Sequence, residues 1–185
     1  MLRKRRPKRQ TQASAEPLPE PLVEPLVQAL NIASVWLARR DYCSAELAER
    51  LERRGYSQAL VAQALSELLE RHYLDDERYA REFVRAHAGR GQGPLRIRYE
   101  LLGAGVSAPL VDAALAREAE EQGSWGGRAR RVRQRRFGEA LPEEPLERAR
   151  QARFLQSRGF STDHVRTALG ASAPDELEAE PSDPR

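Results

Sequence analysis

Apolar residues recur along this chain at offsets of three and four, and nowhere in strict alternation, so the structured stretches read as α-helix. One short pattern is written three times: "RGYSQALVAQAL" at 54–65, "AGVSAPLVDAAL" at 104–115 and "RGFSTDHVRTAL" at 158–169. Aligned, it pairs Gly55, Gly105 and Gly159, then Ser57, Ser107 and Ser161, then Val61, Val111 and Val165. Ala64, Ala114 and Ala168 follow, with Leu65, Leu115 and Leu169; a leucine (Leu51, Leu101, Leu155) stands four residues before each glycine. The glycine ends one helix in the left-handed region that glycine enters freely. The serine caps the next helix by accepting a backbone N–H. Each pattern is therefore a corner between two helices.

A further helix precedes each corner. "PLVQALNIASVWLARR" sets Leu26, Leu30, Ala33 and Leu37 on one stripe, and "DDERYAREFVRAHA" does so with Tyr79, Ala80, Phe83 and Val84. "SWGGRARRVRQRRF" places Trp125, Ala129 and Val132 at suitable spacing, although Gly126 and Gly127 weaken its first turn. Nine helices in three triplets with a period near 50 residues make a tandem repeat, so an all-α fold of three three-helix repeats in an elongated, curved solenoid is expected. The repeats should span 25–73, 74–122 and 123–170, between a basic tail at 1–24 and an acidic tail at 171–185. Ser44, Ser57, Asp75, Ser107 and Ser161 are read as helix caps.

Composition sharpens this picture. Of 185 residues, 40 % are hydrophobic, 32 % charged and only 6 % aromatic, which suits narrow apolar stripes better than one deep aromatic core. A mean hydropathy of −0.70 and the lack of a long apolar run argue against a membrane span. The basic start is followed by "TQASAEPLPE" where a signal peptide needs an apolar run. A single cysteine, Cys43, fits a reducing compartment, so a cytoplasmic location is expected. The net charge of +3 hides an uneven distribution: six basic residues in the first nine, six arginines in "RARRVRQRR" at 128–136, and an acidic end.

Candidate chemistry is sparse. Asp75 and Asp76 form a carboxylate pair, but a catalytic or magnesium site needs further ligands that the sequence does not nominate, and a cap with a favourable helix dipole explains them. "GRGQGPLRIR" lacks the phosphate-loop spacing and reads as a joint closed by Pro94; beyond it Arg96 and Arg98 face phosphate, a carboxylate or solvent. His72, His87 and His164 have no metal-ligand spacing, and Cys43 has no base nearby in sequence. No catalytic residue, metal or cofactor is expected. The arginine run stands out: Arg128, Arg131 and Arg135 share a face opposite Trp125, Ala129 and Val132, widened by Arg130 and Arg133. Either a polyanion or acidic partner meets that face, or Glu143, Glu144 and Glu147 of the following helix neutralise it.

Residues 44–115 carry a resemblance. "SAELAERL" at 44–51, Gly55-Tyr56, "LDDERYA" at 74–80, "GQGPLRIRYEL" at 91–101 and Gly105-Val106 resemble the RecX family of bacterial regulators of the RecA recombinase, over about 30–170 and most weakly in the third repeat. The resemblance implies a non-enzymatic protein that lies along the RecA filament groove and inhibits its ATPase, strand-exchange and coprotease activities, in DNA repair and recombination. Some members also bind DNA. The chain is read as a monomer whose partners are that filament and single- or double-stranded DNA. The alternative is a helix–turn–helix protein contacting DNA directly. After Ser57, Ser107 and Ser161, however, "QALVAQ", "APLVDA" and "TDHVRT" offer poor base-reading chemistry.

Overall fold

The computed structural model describes residues 23–170; among them are nine α-helices and no strand. They are α1 (Val23–Leu37), α2 (Ser44–Glu52), α3 (Gln58–Glu70), α4 (Asp76–Gly89), α5 (Pro94–Gly103), α6 (Ala108–Gln122), α7 (Trp125–Phe137), α8 (Pro145–Ser157) and α9 (Thr162–Ala168). They group in threes, and in each triplet the first helix packs most heavily on the third: α1 on α3, α4 on α6, α7 on α9. The two charged tails lie outside the described residues, except that Val23 and Glu24 already belong to α1.

The repeated apolar positions carry the interior. Leu51, Leu101 and Leu155 are fully buried, with Val61, Val111 and Val165 beside them; each such side chain stabilises by roughly 1.5–3 kcal/mol. The interior is divided unevenly. Ala29, Ala33, Leu47, Leu51, Val61 and Leu68 belong to a core confined to the first repeat and its exit at Leu74. The second and third repeats share one continuous core, which runs from Ala80 and Val84 through Leu101 and Val111 to Ala129, Leu155 and Val165.

The turns explain the recurring glycine. Gly55, Gly105 and Gly159 take φ of 100°, 87° and 87°, where a Cβ crowds the backbone. Beyond them Ser57 Oγ accepts the Leu60 N–H at 3.4 Å, and Ser161 forms a capping box with His164. Two expected caps differ. Ser107 holds the N-cap position of α6, with Pro109 in the first turn, but makes no side-chain bond to the helix. Ser44 does not cap α2: it is the first helical residue, Cys43 is the N-cap, and the Ser44 N–H donates to Asp76 Oδ1 at 2.7 Å. A carboxylate from the second repeat thus takes over the cap of a helix in the first.

That contact belongs to a junction made twice. Between the first two repeats the α2 start meets the α5–α6 turn: Cys43 Sγ–H donates to the Ala104 carbonyl at 3.1 Å, and a Cβ on Gly105 would lie 2.4 Å from Ala45 Cβ. Between the second and third repeats the α5 start meets the α8–α9 turn. The Gly93 N–H donates to the Arg158 carbonyl at 2.7 Å and the Leu95 N–H to the Gly159 carbonyl at 3.0 Å. A Cβ on Gly159 would lie 2.4 Å from Arg96 Cβ.

Candidate functional site

The arginine run of α7 is split in three by the packing. The buried stripe of α7 is Trp125, Gly126, Ala129 and Arg133, not the expected stripe ending at Val132. Arg133 is only 1 % exposed, and its guanidinium donates to the Ala140 and Glu139 carbonyls at 2.8 and 2.9 Å and to Gln151 at 3.4 Å. It closes the loop after α7 rather than facing a partner. Arg128 is also committed: it pairs with Glu118 of α6, the two side chains being 12 % and 8 % exposed, and lies over the Trp125 ring. Arg130, Arg131 and Arg135 are exposed, Arg131 reaching the Gln122 carbonyl at 3.5 Å.

Neutralisation of this face by the following helix is therefore not what occurs. The acid that meets α7 is Glu118, from the preceding helix. Glu147 is engaged on its own helix, where the Gln151 amide and then Arg150 hold its carboxyl below the ordinary range. Glu143 and Glu144 are exposed.

Arg135 instead opens onto a feature that no linear spacing announces. Arg90, Gly91, Val132, Arg135, Arg136, Phe154 and Arg158 line a cleft of about 250 Å³ between the second and third repeats. α4 ends at Gly89, bringing Arg90 to the rim. Gly91, at φ 81°, lets the chain close onto Val132, since a Cβ there would come within 3.1 Å of Val132 Cγ2. Its apolar lining is Val132 and Phe154; the Phe137 ring stands edge-on to Phe154 with centroids 5.2 Å apart, and the Arg158 guanidinium lies 4.8 Å from the Phe154 centroid. Arg158 also donates to the Arg90 carbonyl at 3.5 Å. Arg90, Arg135, Arg136 and Arg158 form no ion pair with a carboxylate among the described residues. Four forked donors over an aromatic floor suit phosphate or carboxylate oxygens beside a flat or apolar group.

The other candidates resolve locally. Arg96 pairs with Glu100 at 2.9 Å and Arg98 with Asp112, so each already has a carboxylate. Asp75 is the N-cap of α4, accepting the Arg78 N–H at 2.9 Å. His87 stacks on Phe83 at 3.9 Å, and His164 Nδ1 accepts the Ser161 N–H at 3.3 Å. Burial pushes the Cys43 thiol up from its ordinary value, the opposite of what a nucleophile requires. No cluster of His, Cys, Asp or Glu among the described residues is arranged to hold a metal ion, and none of their helices is long and apolar enough to cross a membrane. Two of the three glycine turns are covered by a neighbouring repeat, at Ala45 and at Arg96.

Sequence reasoning thus reached Arg135 but missed Arg90, Arg136 and Arg158. Arg136 sits in the same run and was within reach of the charge pattern. Arg90 and Arg158 stand 68 positions apart and meet only because the α5 start docks on the α8–α9 turn.

Known proteins share the organisation in three three-helix units. Family models described as the first, second and third three-helix domains of RecX match residues 29–68, 75–115 and 127–169. A protein named regulatory protein RecX from Halorhodospira halophila is 44 % identical over 140 residues, covering 76 % of this chain and 85 % of the relative. One of the same name from Pseudomonas putida is 43 % identical over 129 residues, covering 70 % and 81 %. A crystal structure of RecX from Lactobacillus salivarius superposes with a TM-score of 0.70 at 16 % identity, over 80 % of this chain and 96 % of that one, a likeness of fold.

Proposed function

The chain belongs to the RecX family of regulatory proteins, and from that premise we propose that it binds the RecA recombinase filament and lowers its ATPase, strand-exchange and coprotease activities. On this reading it acts in the cytoplasm, without catalysis of its own, during DNA repair and recombination. The observation that carries the reading is the arginine cleft between the second and third repeats. A nucleoprotein filament presents phosphate and acidic protein surface side by side, and a cluster of guanidiniums without carboxylate partners answers both. Binding that favours one state of the filament shifts its population by mass action, and no reacting group is needed. Direct reading of duplex DNA by helix–turn–helix insertion is less favoured, since two of the three turns are covered by the neighbouring repeat.

The test is a titration of the chain into RecA assembled on single-stranded DNA, following ATP hydrolysis at several salt concentrations. Hydrolysis should fall with added chain. The variant carrying Arg90→Gln, Arg135→Gln, Arg136→Gln and Arg158→Gln should require more protein for the same effect. Each phosphate contact contributes about 0.7 to the slope of log affinity against log salt on single strands, so removing four should flatten it by about 3. Unchanged hydrolysis with the wild-type chain would refute the function. Inhibition by the variant equal to wild type would remove the cleft from it.

A further inference from the structure

The two internal junctions follow one rule: the start of a middle helix sits on the glycine turn of the next repeat. Three repeats in a row use two helix starts and two turns. One turn is left over in the first repeat and one helix start in the third. The spare turn, Arg54-Gly55-Tyr56-Ser57, has the residue types of the occupied turn Arg158-Gly159-Phe160-Ser161, and a Cβ on Gly55 would meet nothing within 4 Å. The spare start, Glu144-Pro145-Leu146, opens α8 as Gly93-Pro94-Leu95 opens α5. Its N-cap makes no side-chain hydrogen bond, and Leu146 is 85 % exposed.

The two spare halves carry opposite charge. Arg50, Arg53 and Arg54 outnumber Glu49 and Glu52 around the turn. Arg53 pairs with Glu49 at 3.6 Å, Arg50 lies over the Trp36 ring at 4.6 Å, and Arg54 lines the same surface. Glu143 and Glu144 stand exposed at the α8 start, while Glu147 in the first turn is held by Arg150. At the second junction the N-cap must be glycine, because a Cβ on Gly93 would lie 2.3 Å from the Gly159 carbonyl. At the first junction Cys43 holds the N-cap position with a side chain, and that is the geometry open to Glu144.

We propose that two copies of this chain associate head to tail, the α8 start of one docking on the Arg54-Gly55 turn of the next. Such a contact joins unlike surfaces, so each copy keeps a free end for the next and copies add in a row unless the rotation between them closes a ring. Its charges are exposed, which makes it weak, concentration-dependent and sensitive to salt. The monomer expected from the sequence is then the dilute state. The inference concerns the chain alone and stands or falls independently of the filament reading.

Sedimentation velocity of the full chain over a range of concentrations tests it, at low and at high salt. The average mass should rise with concentration, pass that of a dimer, and fall back in high salt. Arg53→Glu with Arg54→Glu makes both ends acidic, and Glu143→Arg with Glu144→Arg makes both basic. Each variant alone should stay monomeric, while an equimolar mixture should associate again because opposite ends then meet. Circular dichroism confirms that each variant is folded. A wild-type chain that remains monomeric at every concentration would overturn the proposal. So would growth that stops at a dimer, or a charge variant that self-associates like the wild type.

Discussion

Replacing each turn glycine by alanine separates two demands that coincide in the sequence pattern. Gly55, Gly105 and Gly159 share a positive φ, and alanine there costs about 1–2 kcal/mol of backbone strain at each site. Their surroundings differ. The new Cβ meets nothing within 4 Å at Gly55, but lies 2.4 Å from Ala45 Cβ at Gly105, and 2.4 Å from Arg96 Cβ with the Arg96 backbone nitrogen at 2.6 Å at Gly159. Neither neighbour is the free end of a flexible side chain, so the repeats must part. Overpacking of this kind adds about 1–3 kcal/mol. Gly55→Ala should therefore cost about 1–2 kcal/mol, and Gly105→Ala and Gly159→Ala about 2–5 kcal/mol each. Urea unfolding followed by far-ultraviolet circular dichroism gives the totals. The two tryptophans localise them, since Trp36 packs on the first core and Trp125 lies within the second. In single-tryptophan variants, Gly105→Ala, at the boundary of the cores, should pull the two fluorescence transitions apart. Equal losses at all three glycines would show that only backbone strain matters and refute the close-approach argument.

Two further outcomes follow from buried polar groups. Arg128→Gln strands Glu118, which is 8 % exposed, and should cost about 3 kcal/mol by urea unfolding, with much of it recovered when Glu118→Gln is added; Arg131→Gln should stay within about 0.5 kcal/mol of wild type. Burial holds the His164 pKa below its ordinary value, against a smaller opposing effect of Asp163, and its Nδ1 is an acceptor in the α9 capping box. The unfolded chain then takes up a proton before the folded one does, so thermal stability should decline as pH falls below the ordinary histidine range. His164→Gln should flatten that dependence, and a wild-type chain whose stability falls no more steeply towards acid pH than that of His164→Gln would contradict it.

What the sequence made legible was periodic. Leu51, Leu101 and Leu155 recur with the turn because each repeat solves the same packing problem, and all three are fully buried. The spacing of the α7 arginines showed which could share a face, but not that Arg133 would turn inward to carbonyls beyond its own helix or that Arg128 would find an acid on α6. A helical wheel carries no information about its neighbours. Ser44 was misplaced for a related reason: the group that satisfies the α2 start, Asp76, lies 32 residues away on another repeat. The cleft was hidden because Arg90 and Arg158 come together through backbone hydrogen bonds between turns, which leave no mark in side-chain patterning.

The thiol of Cys43 sits where the first repeat grips the second, fully buried, with its proton on the Ala104 carbonyl. It is the chain's only cysteine, and burial keeps it in the unreactive protonated form. Alkylation can proceed only while the grip is open. The rate at which a thiol reagent consumes the native protein is thus a clock for that one opening, running without any introduced label. If the proposed RecA contact holds the repeats together, the clock slows; if that contact pries them apart, the clock runs fast.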